Sequence, residues 1–168
     1  MSTVLFLDVD GVLNNIGVFR DKRFGPIPLD HECIRRLHDV VRATGCKIVL
    51  SSAWRGAPDL ERKLAGDMVW KVFRTLGTKR TNPRHKDGST KRLWTKRGEE
   101  IAEWLSRHPE VERYAIVDDD SDMLPEQMPF FVQTSAETGG LKKRHANRLI
   151  KLLLAAPLPA LRIDGEMR

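Results

Sequence analysis

Four short apolar runs constrain the fold of this chain more than any other feature of its sequence. They occupy residues 4–9, 47–51, 114–117 and 130–133. Apolar residues recur at helical spacing over residues 29–44, 58–65, 98–107 and 141–155, whereas residues 66–95 predict loops and short pieces. Short buried strands that alternate with helices are typical of a parallel β-sheet with both faces covered. The sequence therefore predicts an α/β fold with a central parallel sheet.

The length and composition of the chain fit one globular domain. Of its 168 residues, 40% are hydrophobic and 31% charged, which is enough apolar surface to bury a stable core. No apolar run approaches the roughly 20 residues that cross a bilayer, and residues 1–10 lack the basic start of a signal peptide. Cys33 and Cys46 are too few for a disulfide framework, so we expect reduced thiols, a cytoplasmic protein and no membrane partner. We expect residues 1–156 to form the domain and residues 157–168 a loosely attached tail.

The first apolar run ends in two acidic residues. Asp8 and Asp10 are separated only by Val9, so in an extended chain both carboxylates project to the same side. Ligands bind outside the carboxyl ends of parallel strands. Hydroxyl or acidic side chains also end or follow the second and third runs, namely Ser51, Ser52, Asp118, Asp119, Asp120 and Asp122. The sequence therefore predicts that these polar residues gather at one edge of the sheet.

The residue types at this edge favour phosphate chemistry. Several carboxylates at one site repel one another unless they share protons or hold a cation. Oxygen ligands without His or Cys favour Mg²⁺, which a substrate phosphate usually completes. One carboxylate is able to attack phosphorus while a second, two residues on, carries the proton. Gly11 permits a sharp turn beside the phosphate, Ser51 offers a hydroxyl donor, and Lys96 or Arg97 would balance the charge.

Two other interpretations of the acidic residues are weaker. An EF-hand loop also begins with two acids one residue apart, but it requires Glu at the twelfth position, where this chain has Phe19. A solvated turn at a strand end would account for either acidic group alone. It accounts less well for both groups at the ends of two strands.

One segment makes the chain basic. Residues 56–98 contain twelve Lys and Arg against four acidic residues, a net charge of +8, whereas the whole chain carries +6. Such a segment either steers anionic substrates towards the site or is an ordinary solvated surface. Trp54, Trp70 and Trp94 flank basic residues, and packing is favoured over stacking on bases. Arg55 is either a substrate contact or a surface residue.

Three strand ends resemble motifs of the haloacid dehalogenase (HAD) superfamily of phosphatases. FLDVDGVLN is similar to the first motif, KIVLSS to the second and AIVDDDSD to the fourth, in the same order over residues 4 to about 135. More narrowly, VLSSAWR, RGEEIAEWL, VDDD and ETGGL resemble the compact HAD domains of phage proteins and bacterial RNA-repair assemblies. The resemblance implies a Rossmann-like three-layer sandwich with a minimal cap or none. Residues 56–98 would then form at most a basic flap.

The resemblance also implies roles for the acidic residues. Asp8 would be the nucleophile and a metal ligand. Asp10 would be the general acid and base, and its carbonyl group would bind the metal. Asp118 would be a Mg²⁺ ligand, assisted by Asp119 or Asp122.

The phosphate-binding residues are less narrowly defined by the resemblance. Ser51 would hold the phosphoryl group, with Ser52 as the alternative. The basic residue of the third motif remains open among Lys96, Arg97, Lys91 and Arg92.

These inferences predict a Mg²⁺-dependent phosphatase for a phosphomonoester of a nucleotide or of a polynucleotide end. A nearly capless site is open to large substrates such as a nucleic-acid end. The alternatives are a small-molecule phosphatase such as a 5′-nucleotidase, and a nucleic-acid-binding adaptor that keeps the fold without turnover. The intact pair of Asp8 and Asp10 argues against the adaptor. The sequence leaves open a 3′ or a 5′ phosphate and the oligomeric state.

Overall fold

A computed structural model of the chain describes residues 2–21, 28–54, 60, 72–74 and 96–155, with the backbone alone at residues 72–74. The strands are β1 (Ser2–Leu7), β2 (Lys47–Leu50), β3 (Val72–Arg74), β4 (Val111–Asp118) and β5 (Phe131–Gln133). The helices are α1 (Ile16–Arg20), α2 (His31–Thr44), α3 (Arg97–Ser106) and α4 (Lys143–Leu154), with a 3₁₀ helix at Pro125–Phe130.

The five strands form one sheet in the order β3-β2-β1-β4-β5, and each neighbouring pair is parallel. This confirms the predicted α/β fold with a central parallel sheet. The central strand is β1, the strand that leads into Asp8. Its end is tied to both neighbours, because the Asp8 N–H donates to the Val117 carbonyl (3.0 Å) and the Ser51 N–H donates to the Leu7 carbonyl (2.8 Å).

Helices cover both faces of this sheet. Alternate residues of β1 point to opposite faces: Leu5 and Leu7 join a core with residues of α2 and α4, whereas Phe6 joins a second core with α3. Phe6 meets Trp104 of α3 edge to face, with ring centroids 5.3 Å apart. Burial of such a side chain stabilises the fold by roughly 1.5–3 kcal/mol. The layers are those of the predicted three-layer, Rossmann-like sandwich.

Local signals set the ends of α2. The Asp30 carboxylate accepts hydrogen bonds from the N–H groups of Glu32 and Cys33, which caps the first turn. Gly45 ends the helix in the left-handed conformation, with φ of +65°. The apolar stripe between these ends faces the sheet and buries Cys33, Leu37, Val40 and Val41.

Several elements differ from the sequence-based expectation. The strand β1 covers Ser2–Leu7, two residues earlier than predicted. The strand β3 lies where loops and short pieces were expected, and it forms by pairing with β2. The short helix α1 follows the loop after β1, and Asn15 caps it by accepting a hydrogen bond from the Val18 N–H (3.2 Å). The strand β4 begins three residues earlier than predicted, because Val111 and Arg113 pair with the start of β1.

Several predicted regions fall outside the described residues. Of the predicted helix over residues 58–65, only Leu60 is described, and it is helical and fully buried. Most of the basic segment and the predicted tail, residues 157–168, are also outside them. Within the described part of the chain, no helix combines the length and apolarity needed to cross a membrane.

Candidate active site

The carboxyl ends of β1, β2 and β4 bring the predicted site residues to one edge of the sheet. Asp8 follows β1, Ser51 follows β2, and Asp118 is the last residue of β4. Their side chains are buried, with Asp8 6% and Asp118 3% exposed. Rigid strands therefore hold acidic groups in positions where water cannot solvate them fully.

Three carboxylates lie together at this edge. Asp8, Asp118 and Asp119 each offer an oxygen atom, and these atoms all lie within 4.8 Å of one another. We call this group the three-acid cluster. Its ligand atoms are all carboxylate oxygens, the donor type that hard cations such as Mg²⁺ prefer. Asp120 lies on the surface beside it, and its N–H donates to the Asp118 Oδ1 atom (3.0 Å).

Burial and mutual repulsion disfavour the charged state of the cluster. Burial is the main cause that raises the pKa of Asp8 to about 8, and the negative charge of Asp118 adds to it, while Arg97 opposes the shift. Burial likewise raises the pKa of Asp118 to about 6 and also raises the pKa of Asp119. A bound cation offsets both causes. The cluster therefore has the electrostatics of a cation site.

The guanidinium of Arg97 lies against two members of the cluster. Its Nη2 atom is 3.6 Å from the Asp8 Oδ1 atom, and its Nε atom is 3.4 Å from the Asp118 Oδ2 atom. Among the four basic candidates, the structure places Arg97 at the acids, whereas Lys96 is exposed at the start of α3. Lys91 and Arg92 lie outside the described residues.

Sequence analysis missed the buried acid that holds Arg97. Glu100, only 5% exposed, accepts a hydrogen bond from the Arg97 Nη1 atom at 2.9 Å. Glu100 lies one helical turn after Arg97, so the i, i+3 spacing in RGEE was a signal for this pair. The pair fixes the planar guanidinium so that its other nitrogens face Asp8 and Asp118.

Two further contacts fix the start of α3. The backbone N–H of Arg97 donates to the Asp122 Oδ2 atom (2.8 Å), so Asp122 supports the start of the helix. Asp122 is not a member of the three-acid cluster. The buried Gln127 donates through Nε2 to the Gly98 carbonyl (2.8 Å). Gly98 itself has no room for a Cβ atom, because the backbone of Leu124 packs against it. The loop after β4 thus determines where Arg97 stands.

Asp10 is held by two side chains that sequence analysis did not place at the site. Its Oδ1 atom accepts from Asn14 Nδ2 and its Oδ2 atom accepts from Trp54 Nε1, both at 2.9 Å. Asn14 is fully buried and also accepts from the Gly11 N–H (2.9 Å). Trp54 packs against the core, as favoured from the sequence, but its indole N–H also positions Asp10. The Asp10 carboxylate is not part of the three-acid cluster.

Gly11 occupies a position that admits no side chain. Its φ is +67°, and an added Cβ atom would overlap the Asp119 carboxylate. Its carbonyl group accepts a hydrogen bond from the Thr134 hydroxyl (2.8 Å), which ties the loop after β1 to the end of β5. The glycine therefore lets the first loop approach Asp119 closely.

The two serines after β2 have different surroundings. The Ser51 hydroxyl is buried and has no hydrogen-bond partner among the described residues. The Ser52 hydroxyl helps to lower the pKa of Asp8 and accepts a hydrogen bond from the backbone N–H of Trp54 (3.3 Å). A buried hydroxyl without a partner is costly unless a ligand satisfies it, so Ser51 is the better placed of the two to bind a substrate. Arg55 lies outside the described residues.

The chain matches a known family of protein domains over most of its length. A family model described as the HAD domain in Swiss Army Knife RNA repair proteins matches residues 4–146. No curated protein and no solved structure matches the chain significantly. The matched range spans β1 to the first turn of α4, and therefore all the residues of the site.

Proposed function

The chain belongs to the family of HAD domains in Swiss Army Knife RNA repair proteins, and from this premise we propose that it is a Mg²⁺-dependent phosphatase for nucleic-acid ends. One observation carries the proposal. Asp8 stands at the end of the central strand, within one cluster with Asp118 and Asp119 and beside Arg97. A nucleophilic carboxylate, a cation site and a fixed positive charge are the parts that phosphoryl transfer requires.

The donor set fits Mg²⁺. Asp8, Asp118 and Asp119 would hold the ion through carboxylate oxygens, and the Asp10 carbonyl would add a further oxygen. Burial and repulsion raise the pKa of each of the three carboxyl groups, so their ionisation costs free energy. A divalent cation would offset this cost. When bound, Mg²⁺ supplies positive charge that keeps these acids ionised and neutralises phosphoryl oxygens.

In the first step, a carboxylate oxygen of Asp8 attacks phosphorus. A bond forms between this oxygen and phosphorus while the ester bond breaks, and Asp10 gives its proton to the leaving oxygen. Arg97 and the Ser51 hydroxyl stabilise the phosphoryl oxygens. The product bound to the protein is an aspartyl-phosphate on Asp8.

In the second step, water attacks the aspartyl-phosphate. Asp10 takes a proton from this water, the bond between phosphorus and Asp8 breaks, and inorganic phosphate leaves. Both oxygens of Asp10 accept hydrogen bonds, from Asn14 and Trp54, which fix the position of the carboxyl group. To act as an acid in the first step, Asp10 must carry a proton and exchange one of these donors for the leaving oxygen.

The test is phosphate release in Mg²⁺ and in EDTA from three substrate classes: a generic aryl phosphate, mononucleotides, and oligonucleotides with a 3′ or a 5′ phosphate. We expect Mg²⁺-dependent release that is highest for one oligonucleotide end and that Asp8→Asn abolishes. A preference for mononucleotides would instead identify a small-molecule phosphatase. If the wild-type protein released phosphate from none of these substrates and did not differ from Asp8→Asn, the proposal would be overturned in favour of a non-catalytic adaptor.

A further inference from the structure

A cleft of about 490 Å³ lies between the edge strand β5, the 3₁₀ helix and α4. Met128, Phe131 and Val132 give it an apolar lining, in which Met128 is 47% exposed whereas Phe131 and Val132 are buried. Arg144 and Arg148 of α4 line its wall. The cleft thus combines apolar surface with two cationic side chains.

Within the part of the chain that the structure describes, no acidic side chain neutralises the positive charge of this cleft. Arg144 and Arg148 are exposed, and within the described residues neither forms an ion pair with an acidic side chain. No acidic residue is among the residues that line the cleft. The surrounding chain, residues 142–151, is basic as well, with five Lys and Arg and no acidic residue. This second basic surface lies outside the 56–98 segment.

One side chain joins the cleft to the candidate active site. Gln133 lines the cleft at the carboxyl end of β5, where it pairs in register with Asp118. Its Nε2 atom donates to the Asp119 carbonyl at 3.0 Å. Just before the start of α4, the backbone N–H of Leu141 donates to the Val12 carbonyl in the loop after β1 (2.9 Å). The cleft therefore begins beside the three-acid cluster and continues along α4.

We infer that this cleft binds the strand of a single-stranded nucleic acid whose terminal phosphate enters the active site. The inference rests on the proposed phosphatase function and adds the path of the substrate. Arg144 and Arg148 lie one helical turn apart, a spacing of roughly 5–6 Å that suits successive backbone phosphates. Met128, the exposed part of the apolar lining, offers contact surface for a base or a sugar. A mononucleotide held at the three-acid cluster has no phosphodiester linkage that could reach Arg148.

Binding is best measured in a protein that cannot turn the substrate over. The experiment uses the full chain with Asp8→Asn and follows a fluorescent single-stranded oligoribonucleotide with a terminal phosphate as the salt concentration rises. Arg148→Glu is the test variant, and Arg148→Gln is a milder second variant. Arg42→Glu is the matched control. Arg42 is exposed in the last turn of α2, which leads to the start of β2, whereas the acids lie at the carboxyl ends of the strands.

We expect Arg148→Glu to weaken oligonucleotide binding about tenfold or more and to lower the slope of log affinity against log salt by about one. Arg148→Gln gives the same direction with a smaller change, and Arg42→Glu leaves the affinity unchanged. In the active protein, Arg148→Glu raises KM for the oligonucleotide more than it lowers kcat. Thermal unfolding of each variant verifies that the fold is kept.

Two results would overturn the inference. One is equal oligonucleotide affinity for Arg148→Glu and Arg42→Glu. The other is competition by poly-glutamate as strong as that by an unlabelled oligonucleotide, which would mark a general anion surface. Failure of the phosphatase proposal looks different, because then no substrate releases phosphate while oligonucleotide binding still depends on Arg148.

Discussion

The guanidinium of Arg97 lies 3.6 Å from the carboxylate of Asp8, with Nη2 facing Oδ1. The same group also contacts Asp118 and Glu100, so one planar side chain spans three acids. Lysine carries the same charge on a single nitrogen and is unable to reproduce these contacts. The planar geometry of the guanidinium, and not its charge alone, sets the electric field at Asp8.

Arg97→Lys is therefore expected to lower kcat for phosphate release by about tenfold to a hundredfold. Arg107→Lys is the control, since Arg107 is exposed just after the same helix and pairs only with Glu103 among the described acids. Steady-state kinetics with an aryl phosphate measure the effect. Equal activity of the two variants would show that charge alone suffices at this position.

Glu100→Gln tests whether the buried acid positions Arg97. The amide keeps the shape of the side chain but loses the charge that holds Nη1 at 2.9 Å, and we expect kcat to fall about threefold to tenfold. Glu99→Gln, an exposed neighbour in the same first turn, should leave kcat unchanged. A loss confined to protein stability, with kcat intact, would contradict a positioning role.

In EDTA, the Asp8 carboxyl group should make the folded protein less stable as the pH rises. Its pKa is raised from 3.8 to about 8 on folding, so between these values the folded protein keeps a proton that the unfolded chain releases. The contribution of this group to the free energy of unfolding is fully present below the pKa of the unfolded chain, 3.8. It is lost as the pH rises through the pKa of the folded protein, about 8. Asp8→Asn removes this titration and is expected to raise the free energy of unfolding at neutral pH by about 2 kcal/mol.

Denaturant unfolding between acidic and mildly alkaline pH measures this effect. Asp120→Asn is the control, because it makes the same substitution in an exposed acid beside the cluster. The pKa of Asp118 is raised as well, so the free energy of unfolding of Asp8→Asn should still decrease with rising pH, but less steeply than that of wild type. Parallel stability curves for wild type and Asp8→Asn would contradict the prediction. Addition of Mg²⁺ should stabilise wild type more than Asp8→Asn.

Trp54→Phe keeps an aromatic ring against the core but removes the N–H that bonds to the Asp10 Oδ2 atom at 2.9 Å. Because Asp10 then loses one of its two fixed partners, we expect kcat to fall about threefold to tenfold for every substrate, with little change in KM. A role in base stacking predicts another pattern, a higher KM for oligonucleotides and normal hydrolysis of an aryl phosphate. Parallel kinetics on the two substrates separate these outcomes.

Gly11→Ala is compared with Gly45→Ala. Both glycines have φ near +65°, but a Cβ atom at Gly45 meets open space, whereas at Gly11 it overlaps Asp119. Each variant should lose about 1 kcal/mol from backbone strain. Only Gly11→Ala should also displace Asp119 and abolish most phosphate release and Mg²⁺ binding. Equal activity of the two variants would show that Asp119 is free to move.

Local patterns in the sequence were sufficient to predict the carboxyl ends of β1, β2 and β4 to within two residues, and hence the place of Asp8, Ser51 and Asp118. Period-two alternation and apolar runs depend on neighbours in the chain, and this information is present in any short window. Strand β3 was missed because three residues carry too little pattern, and its backbone forms a strand only through pairing with β2.

The contacts inside the site were beyond the sequence patterns for a different reason. Lys96 and Arg97 are adjacent, and only the rotational position of α3, set by Asp122 and Gln127, decides which of them faces the acids. Trp54 reaches Asp10 across 44 positions of the chain. Such relations depend on how elements pack against each other, which spacing along the chain does not encode.

The backbone amide of Asp8 is hydrogen-bonded to the Val117 carbonyl, next to the centre of the sheet. An amide in that place exchanges its hydrogen for deuterium only when the sheet itself opens. Asp8, the proposed nucleophile, therefore does not become disordered independently of the sheet, unlike a residue on a surface loop. Heat should abolish its chemistry in the same cooperative transition that melts the core, so residual activity during warming would report the folded fraction directly.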